Sequence, residues 1–179
     1  GSKQYSMYKW LDLSNLCKIF TRKQDTVVDV YYFTALATWD RKKVDRHNIH
    51  IRALESAQVH IVYGEFKRKD KICPLCHKPY QTYEEKQTDV NIAIHLFRLA
   101  VEDRYDTAVI VSGDSDLIPS LKAVRKAFPA KRLGVIIPIG RASESLKQTA
   151  DFHMKMKEHH LQTSLFPKDM KLSDTEIVH

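Results

Sequence analysis

Two carboxylates, Asp114 and Asp116, follow directly after the apolar segment Val109–Val111. The β-branched residues of this segment are typical of a buried parallel strand, and the residues after Asp116 have the periodicity of a helix. Ligands of α/β proteins bind at the carboxyl ends of parallel strands, and carboxylates are preferred ligands of hard divalent cations. The pattern therefore predicts metal-assisted chemistry on a phosphate group.

Asp89 is a third candidate for this site. It lies in the first turn of a predicted helix for which Thr88 is the candidate N-cap, and the helix dipole favours an anion there. Each acid alone has an ordinary explanation, since Asp116 could cap a helix and Asp89 could offset the dipole. Their occurrence together, in this order of elements, favours a metal site over two separate caps.

The residues expected to contact the substrate surround these acids. Ser112 and Ser115 flank Asp114 and are candidates to orient water or phosphate. Arg141 follows the next predicted strand, at the same sheet edge, and is a candidate phosphate ligand. A segment that mixes basic and aromatic residues could hold backbone phosphates while unpaired bases stack, although solvated charge is the simpler account of each residue. Its candidate residues are Lys67, Arg68 and Lys69.

Cys73 and Cys76 have the spacing of half a zinc site, because thiolates in a Cys-x-x-Cys segment can share one tetrahedral ion. The simpler alternative is a reduced pair in a tight turn at Pro74. The spacing does not identify the other ligands, for which the candidates are His77, His47, His50, His60, His159 and His160. Cys17 follows an apolar helical pattern and is predicted to be a core residue.

The composition predicts one domain of ordinary size. The chain has 179 residues, of which 43% are hydrophobic. A formal net charge of +7 favours a polyanionic partner such as nucleic acid, although a basic surface also suits solubility alone. No membrane span or secretory signal is visible, and three cysteines make a poor disulfide framework. We therefore expect a cytoplasmic protein without a membrane partner.

Alternating strands and helices predict an α/β fold of three layers, α/β/α, around a central and mainly parallel sheet. Strands are predicted at about 27–36, 59–66, 107–111 and 132–137, and helices at about 10–20, 44–57, 89–101, 117–128 and 143–149. The third of these helices carries an apolar stripe of Val90, Ile94, Phe97 and Val101. Residues 1–160 are assigned to the domain, with a cysteine-bearing loop at 67–83, and residues 161–179 to a C-terminal tail.

Two motifs resemble the NYN branch of the PIN-like ribonucleases. They are Lys86-Gln87-Thr88-Asp89-Val90-Asn91-Ile92-Ala93 and Ser112-Gly113-Asp114-Ser115-Asp116-Leu117, and the Cys-x-x-Cys segment precedes the first of them. The similarity extends from Tyr8 to Ser143, which is most of the chain. It implies that Asp89, Asp114 and Asp116 are ligands of Mg²⁺ or Mn²⁺ in an acidic cluster that hydrolyses RNA.

The sequence differs from this family at two positions. Family members usually begin with a strand that ends in Asp-Gly-x-Asn, whose Asp completes the acidic cluster. The present sequence starts after the expected place of that strand, so we expect the domain to lack its first strand and its first acid. His95 stands where many relatives carry another acid, on the helix that follows Asp89.

The leading hypothesis is therefore a divalent-metal-dependent endoribonuclease that acts on single-stranded RNA. The alternative is an RNA-binding module with a degenerate and catalytically weak site. A serine hydrolase is a third hypothesis, because Gly113-Asp114-Ser115 resembles part of an esterase motif that Asp151 and His153 could complete. Asp116 interrupts that motif, which counts against it. A homo-oligomer is compatible with the sequence, although no heptad repeat argues for one.

Overall fold

Strands and helices alternate through most of the chain, as the sequence predicts. The computed structural model describes residues 3–173 and 176–178. The α-helices are α1 (Leu13–Ile19), α2 (Arg41–Ser56), α3 (Thr88–Val101), α4 (Ile118–Ala127), α5 (Glu144–Thr149) and α6 (Glu158–Gln162). The strands are β1 (Val30–Thr34), β2 (Val59–Tyr63), β3 (Glu65–Ile72), β4 (Pro79–Lys86), β5 (Thr107–Val111), β6 (Arg132–Ile137), β7 (Phe152–Lys155), β8 (Met170–Ser173) and β9 (Glu176–Val178). The predicted α/β class is confirmed.

The parallel strands are divided between two sheets. Strand β1 pairs with β2, and β6 lies between β5 and β7, in parallel register throughout. Within the described residues, β1 and β5 are not hydrogen-bonded to each other. Asp29, which precedes β1, and Arg104, which precedes β5, form an ion pair at 3.1 Å. The two sheets therefore meet at the amino ends of these two strands.

Helix α3 packs against both sheets. Its His95 ring lies 5.7 Å from the Tyr31 ring and 5.3 Å from the Phe33 ring of β1, measured between centroids. Its Leu96 and Ala100 are buried in the apolar cluster that contains Leu133 of β6. His95, which is one of the two differences from the family pattern, thus packs on aromatic rings and holds the helix against β1.

The apolar stripe predicted on α3 is not the face that this helix buries. Val90, Ile94, Phe97 and Val101 are each between 38% and 60% exposed, whereas Leu96 and Ala100 are buried. Both sets have helical spacing, so periodicity alone could not choose between them. The buried set is the one that faces the strands and α4.

Two apolar clusters cover the sheets, and the second includes part of the predicted tail. The first joins α3, α4 and α5 to β5 and β6, with Leu121 and Val124 fully buried. The second joins α2 to β1 and β2 and contains Leu54 and Phe166. The packed domain thus continues past residue 160, at least to Phe166. Residues 174, 175 and 179 of the predicted tail lie outside the described part of the chain.

Helix α2 begins earlier than predicted because Asp40 is its N-cap. Asp40 Oδ1 accepts a hydrogen bond of 3.1 Å from the Lys43 amide, which satisfies one of the unpaired N–H groups of the first turn. The basic residues 41–43 therefore belong to a helix that starts at the carboxyl end of β1. Their side chains are exposed.

The prediction of a loop at residues 67–83 is wrong, because this segment belongs to a β-hairpin. Strands β3 and β4 pair in antiparallel register from Glu65 opposite Lys86 to Ile72 opposite Pro79. The base of the hairpin is held by Trp39, whose ring stacks on Tyr83 with 3.5 Å between centroids and 5° between planes. Aromatic pairs of this kind stabilise by about 0.5–1.5 kcal/mol beyond their burial. The hairpin is thus tied to the loop before α2.

Within residues 3–173 and 176–178, no helix has both the length and the apolar character needed to cross a membrane.

Candidate acidic site at the carboxyl ends of the strands

The loop after β5 presents its acids through local hydrogen bonds. The Asp114 amide donates to Ser112 Oγ at 3.0 Å, and the Asp116 amide donates to Asp114 Oδ1 at 3.0 Å. Asp114 is thereby the N-cap of a short 3₁₀ helix over Ser115–Leu117. Leu117, which is 1% exposed, ties this helix to the core. The cap is therefore Asp114 and not Asp116, and Ser112 supports Asp114 directly.

Asp89 is positioned by an unusual entry into α3. The N-cap is Gln87 in a left-handed conformation, with φ of 74°, so the predicted Thr88 cap is wrong. Thr88 Oγ1 donates instead to Glu85 Oε1 at 2.5 Å. Gly64 lies against this turn, and a Cβ there would stand 2.6 Å from the Lys86 carbonyl oxygen. The close approach allows the end of β2, the end of β4 and the start of α3 to meet.

Asp89 and Asp114 line one pocket of about 360 Å³. Its other lining residues are Glu85, Lys86, Gln87, Thr88 and Val90. A larger concavity of about 660 Å³ lies at Asp29, Glu55 and His60, at the amino end of β1. We assign the site to the smaller pocket because the acids of two predicted motifs meet there, whereas Asp29 is already bonded to Arg104 and His60.

The carboxylates of this pocket repel one another. Partial burial raises the pKa of Asp89 above its ordinary value of 3.8, and the negative charges of Asp114, Asp116 and Glu85 raise it further. Both effects disfavour the ionised form, and a neighbouring cation would reverse the second of them. The acids are thus close enough to interact, which their positions in the sequence could only suggest.

The oxygen donors of the pocket suit Mg²⁺ or Mn²⁺, which bind carboxylates in preference to softer ligands. Asp114 Oδ1 accepts a hydrogen bond from the Asp116 amide, and the second carboxylate oxygen of Asp114 is the one proposed to bind a ligand. Within residues 3–173 and 176–178, however, no three His, Cys, Asp or Glu side chains converge closely enough to hold one ion. The donor chemistry fits such a metal, but the carboxylates do not form a complete coordination site.

Glu85 is a site residue that sequence reasoning missed. Glu85 stands in the charged run Glu84-Glu85-Lys86, and such a run usually indicates a solvated face and not a site. In the structure it lines the pocket, accepts a hydrogen bond from Thr88 and raises the pKa of Asp89. Recognition that residues 79–86 form a strand that ends at α3 would have placed Glu85 beside Asp89.

Arg141 lies next to the acidic loop. A Cβ at Gly113 would stand 2.7 Å from Arg141 Cβ and 3.2 Å from its Cγ. The stem of Arg141 thus lies over Gly113, directly before Asp114, and its side chain is exposed. A cation in this position is available to contact an anion held at the pocket.

The three basic residues predicted as phosphate contacts are paired with acids of the hairpin. Lys67 lies 3.2 Å from Glu65, Arg68 lies 3.8 Å from Asp70, and Lys69 lies 2.5 Å from Glu84. Lys69 and Lys86 lower the pKa of Glu84 to about 2. Exposed pairs of this kind are weak and exchange readily with other ions. Phosphate binding by these residues would therefore have to displace an existing partner.

The three cysteines occupy different environments. Cys73 and Cys76 lie at the tip of the hairpin, where hydrogen bonds from the amides of Cys76 and Leu75 lower the pKa of Cys73. Cys17 is half-buried on α1 and belongs to neither apolar cluster, but desolvation there raises its pKa to about 11. Cys73 and Cys76 are therefore the reactive pair.

The serine hydrolase hypothesis has no geometric support. Ser115 lies after the carboxyl end of β5, whereas Asp151 accepts hydrogen bonds from Arg125 and from the Leu133 amide near the amino end of β6. Strands β5 and β6 are parallel, so these residues lie at opposite edges of the sheet. Asp151 therefore cannot orient a base for Ser115.

Two known proteins are similar to this chain. A curated protein of Pseudomonas putida, named 6-hydroxy-3-succinoylpyridine 3-monooxygenase, is 27% identical over 180 aligned residues. The alignment covers 81% of this chain and 57% of that protein, so the chain spans little more than half of that relative. A crystal structure of a protein of unknown function from Vibrio parahaemolyticus aligns with a TM-score of 0.57 and 19% identity, over 87% of this chain and 82% of the other. At this identity the likeness concerns the fold alone.

The family model of the NYN domain matches residues 2–157. This range includes both parallel sheets, α3 and every acid of the pocket. The chain therefore belongs to the NYN domain family.

Proposed function

We propose that this chain is a divalent-metal-dependent endoribonuclease whose active site is the pocket of Asp89 and Asp114. The observation that carries the proposal is the meeting of Glu85, Asp89 and Asp114, from three separate elements, at one pocket. Their mutual repulsion raises the pKa of Asp89 and opposes folding rather than favouring it. Such an arrangement is typical of a functional site, because clustered carboxylates do not contribute to the stability of the fold.

Asp89 and Asp114 are the proposed ligands of Mg²⁺ or Mn²⁺. Asp116 and Glu85 are near enough to raise the pKa of Asp89, and a bound ion would have to draw them closer before they could join the ligand set. When bound, such an ion would neutralise a phosphodiester and activate water. The chain itself orients Asp114 through Ser112 and through the Asp116 amide. Arg141 would bind the phosphate beside Gly113, and Ser115 would hold an adjacent oxygen.

Single-stranded RNA is the proposed substrate. The net charge of +7 attracts a polyanion, and Trp39, which is 39% exposed and stacked on Tyr83, offers an aromatic surface to an unpaired base. The exposed residues 41–43 begin α2 beside that surface. Because Lys67, Arg68 and Lys69 already have acidic partners, we expect Arg141 to contribute more to phosphate binding than any of them.

RNA binding without efficient cleavage is the second candidate. It is favoured by the arrangement of the acids, since no three ligand side chains of the described residues converge on one point. A metal ion would first have to draw the carboxylates together, at a cost in its affinity. On this hypothesis the basic and aromatic surface would retain its partner while turnover is slow.

The name of the Pseudomonas putida relative raises a third activity, the oxygenation of a substituted pyridine. That protein is matched over only 57% of its length. We therefore propose phosphodiester chemistry for this pocket and not pyridine chemistry.

The test is cleavage of an end-labelled single-stranded RNA in the presence of Mn²⁺, Mg²⁺ or EDTA. We expect cleavage with either ion and none with EDTA. Asp114→Asn should reduce the rate by about 100-fold or more, because a charged ligand is lost. Asp106→Asn is the matched control, since Asp106 precedes the same strand at its opposite end.

Three results of this test would contradict the proposal. They are cleavage that is insensitive to EDTA, equal rates in the two variants, and binding of RNA without cleavage under every condition. The last result would favour the second candidate. A shift assay with the same RNA, run in EDTA, separates binding from turnover.

A further inference from the structure

The tip of the β3–β4 hairpin has a defined geometry around its two cysteines. The Cys73 amide donates to the Lys78 carbonyl at 2.9 Å, and the His77 amide donates to the Cys73 carbonyl at 2.9 Å. His77 adopts a left-handed conformation with φ of 53°. These contacts close the turn around Cys73 and Cys76, and the Cys76 side chain is among the causes that lower the pKa of Cys73.

The backbone of the turn is arranged to stabilise a thiolate. The amides of Leu75 and Cys76 both donate to Cys73 Sγ. Hydrogen bonds from N–H groups to sulfur stabilise the charged form, which is the form that binds metal. A reduced pair in a plain tight turn, the simpler alternative for this segment, does not require them. The closed turn thus holds two ligands for a soft metal ion at the tip of the hairpin, whereas the acidic pocket lies at its base.

Two thiolates are half of what a structural zinc site needs, since such sites have four ligands in tetrahedral geometry. Among the residues that the structure describes, no third His, Cys, Asp or Glu completes a ligand group with Cys73 and Cys76. His77 is adjacent in sequence, but it does not form such a group in this turn. The missing ligands must therefore come from another molecule or another segment.

We propose that the hairpin tip binds Zn²⁺ jointly with the hairpin tip of a second copy of this chain, through Cys73 and Cys76 of each copy. Two equivalent tips related by a twofold axis supply four thiolates of the same kind, which is the set that zinc prefers in structural sites. The thiol protons are released to solvent on binding. This site is independent of the nuclease proposal and goes beyond it.

The surface of the tip suits contact with a second copy. Leu75 is 91% exposed and Ile72 is 68% exposed, so two apolar side chains flank the thiols without a partner in the described chain. Lys71 and Lys78 lie on either side of the turn. Four thiolates around one zinc ion carry a net negative charge, which these lysines would offset. Apolar and charged residues of the tip therefore both favour a zinc-bridged pair.

The experiment is a zinc titration of the full chain under reducing conditions, followed by mass measurement in solution. We expect saturation at half a zinc ion per chain and conversion from monomer to dimer at the same point. Substitution of Co²⁺ for zinc should give the intense charge-transfer absorption of tetrahedral cobalt bound by four thiolates. Cys73→Ser with Cys76→Ser should abolish zinc binding and dimer formation together.

Three variants control the interpretation. Cys17→Ser should leave stoichiometry and mass unchanged, because Cys17 lies on α1 and not at the hairpin tip. His77→Asn should also leave them unchanged, since Asn tolerates the left-handed conformation. Leu75→Asp should leave the thiols in place but weaken the dimer. Circular dichroism on each variant separates these effects from loss of folding.

Other stoichiometries would overturn the proposal. One zinc ion per monomer would mean that the site is completed within the chain, and His77→Asn would show whether His77 is the third ligand. A dimer that persists in a zinc chelator would mean that another surface joins the copies. Failure to bind zinc with both thiols reduced would leave the turn without a metal.

Discussion

Asp89 and Asp114 line the same pocket, although one lies in the first turn of α3 and the other caps the 3₁₀ helix after β5. Asp89 is positioned by the left-handed Gln87 and by the close approach of the chain at Gly64. Asp114 is positioned by Ser112 and Leu117. Because α3 packs against both parallel sheets, the relative position of these carboxylates depends on how the sheets are held together. The pocket is thus a property of the assembled domain.

Mn²⁺ should stabilise the protein more strongly as the pH rises above the ordinary Asp value of 3.8. The pKa of Asp89 is raised, so its ionisation on going to higher pH destabilises the protein without a cation and creates a ligand for one. Melting temperatures with Mn²⁺ and with EDTA, measured from pH 4 to pH 7, test this expectation. The difference should grow with pH.

Asp89→Asn should remove both the loss of stability at higher pH without metal and the stabilisation by Mn²⁺. Without metal the variant should be at least as stable as the parent near neutral pH, because the repulsion from Asp114, Asp116 and Glu85 is removed. With Mn²⁺ its melting temperature should no longer rise. A metal response equal to that of the parent would contradict a role for Asp89 as a ligand, and Asp106→Asn is again the control.

Gly113→Ala should weaken RNA binding through Arg141. The added Cβ would stand 2.7 Å from Arg141 Cβ, near the backbone, where rotation of the side-chain end gives no relief. We expect a loss of about tenfold in affinity, or about 1.4 kcal/mol. If the effect acts through Arg141, the double variant with Arg141→Ala should bind no more weakly than Arg141→Ala alone. Additive losses would contradict it.

Trp39→Ala should reduce RNA affinity and loosen the hairpin base. Stacking of one base on an aromatic side chain contributes about 1–3 kcal/mol, so a loss of about tenfold or more is expected. Trp10 is the second of the two tryptophans and packs with Phe166 in the apolar cluster. Fluorescence quenching by RNA should therefore persist in Trp10→Phe and disappear in Trp39→Phe. Equal quenching in both would place the bases elsewhere.

The three thiols should react with iodoacetamide at different rates in the reduced, zinc-free protein. Cys73, with its pKa lowered by two amides, should react first near pH 7.5. Cys17, whose pKa is raised to about 11, should remain largely unmodified until the protein unfolds. Mass spectrometry of timed samples measures these rates. Faster labelling of Cys17 than of Cys73 would contradict the raised pKa of Cys17 and the lowered pKa of Cys73.

The sequence by itself determined the strand-to-helix order, the carboxyl-end acids and the family. The apolar runs at residues 107–111 and 132–137 predict strands, and both appear with the predicted bounds. Only the second is buried, because β5 lies at the edge of its sheet and leaves Val109 40% and Val111 44% exposed. Arg141 lies beside Gly113 for the same reason, since parallel strands bring their carboxyl ends to one edge. Strand and helix positions, and the residues that follow each strand, can be predicted from the sequence because they depend on neighbouring residues.

Only the tertiary structure decided what depends on contacts between distant segments. Residues 67–83 are polar and alternate weakly, so their pairing as a hairpin rests on cross-strand contacts and on Trp39. The exposure of Val90 and Ile94, the place of Glu85 in the pocket and the division of the parallel strands into two sheets likewise follow from packing. Helical periodicity offers two apolar faces to α3, and burial against β1 and β6 selects one of them.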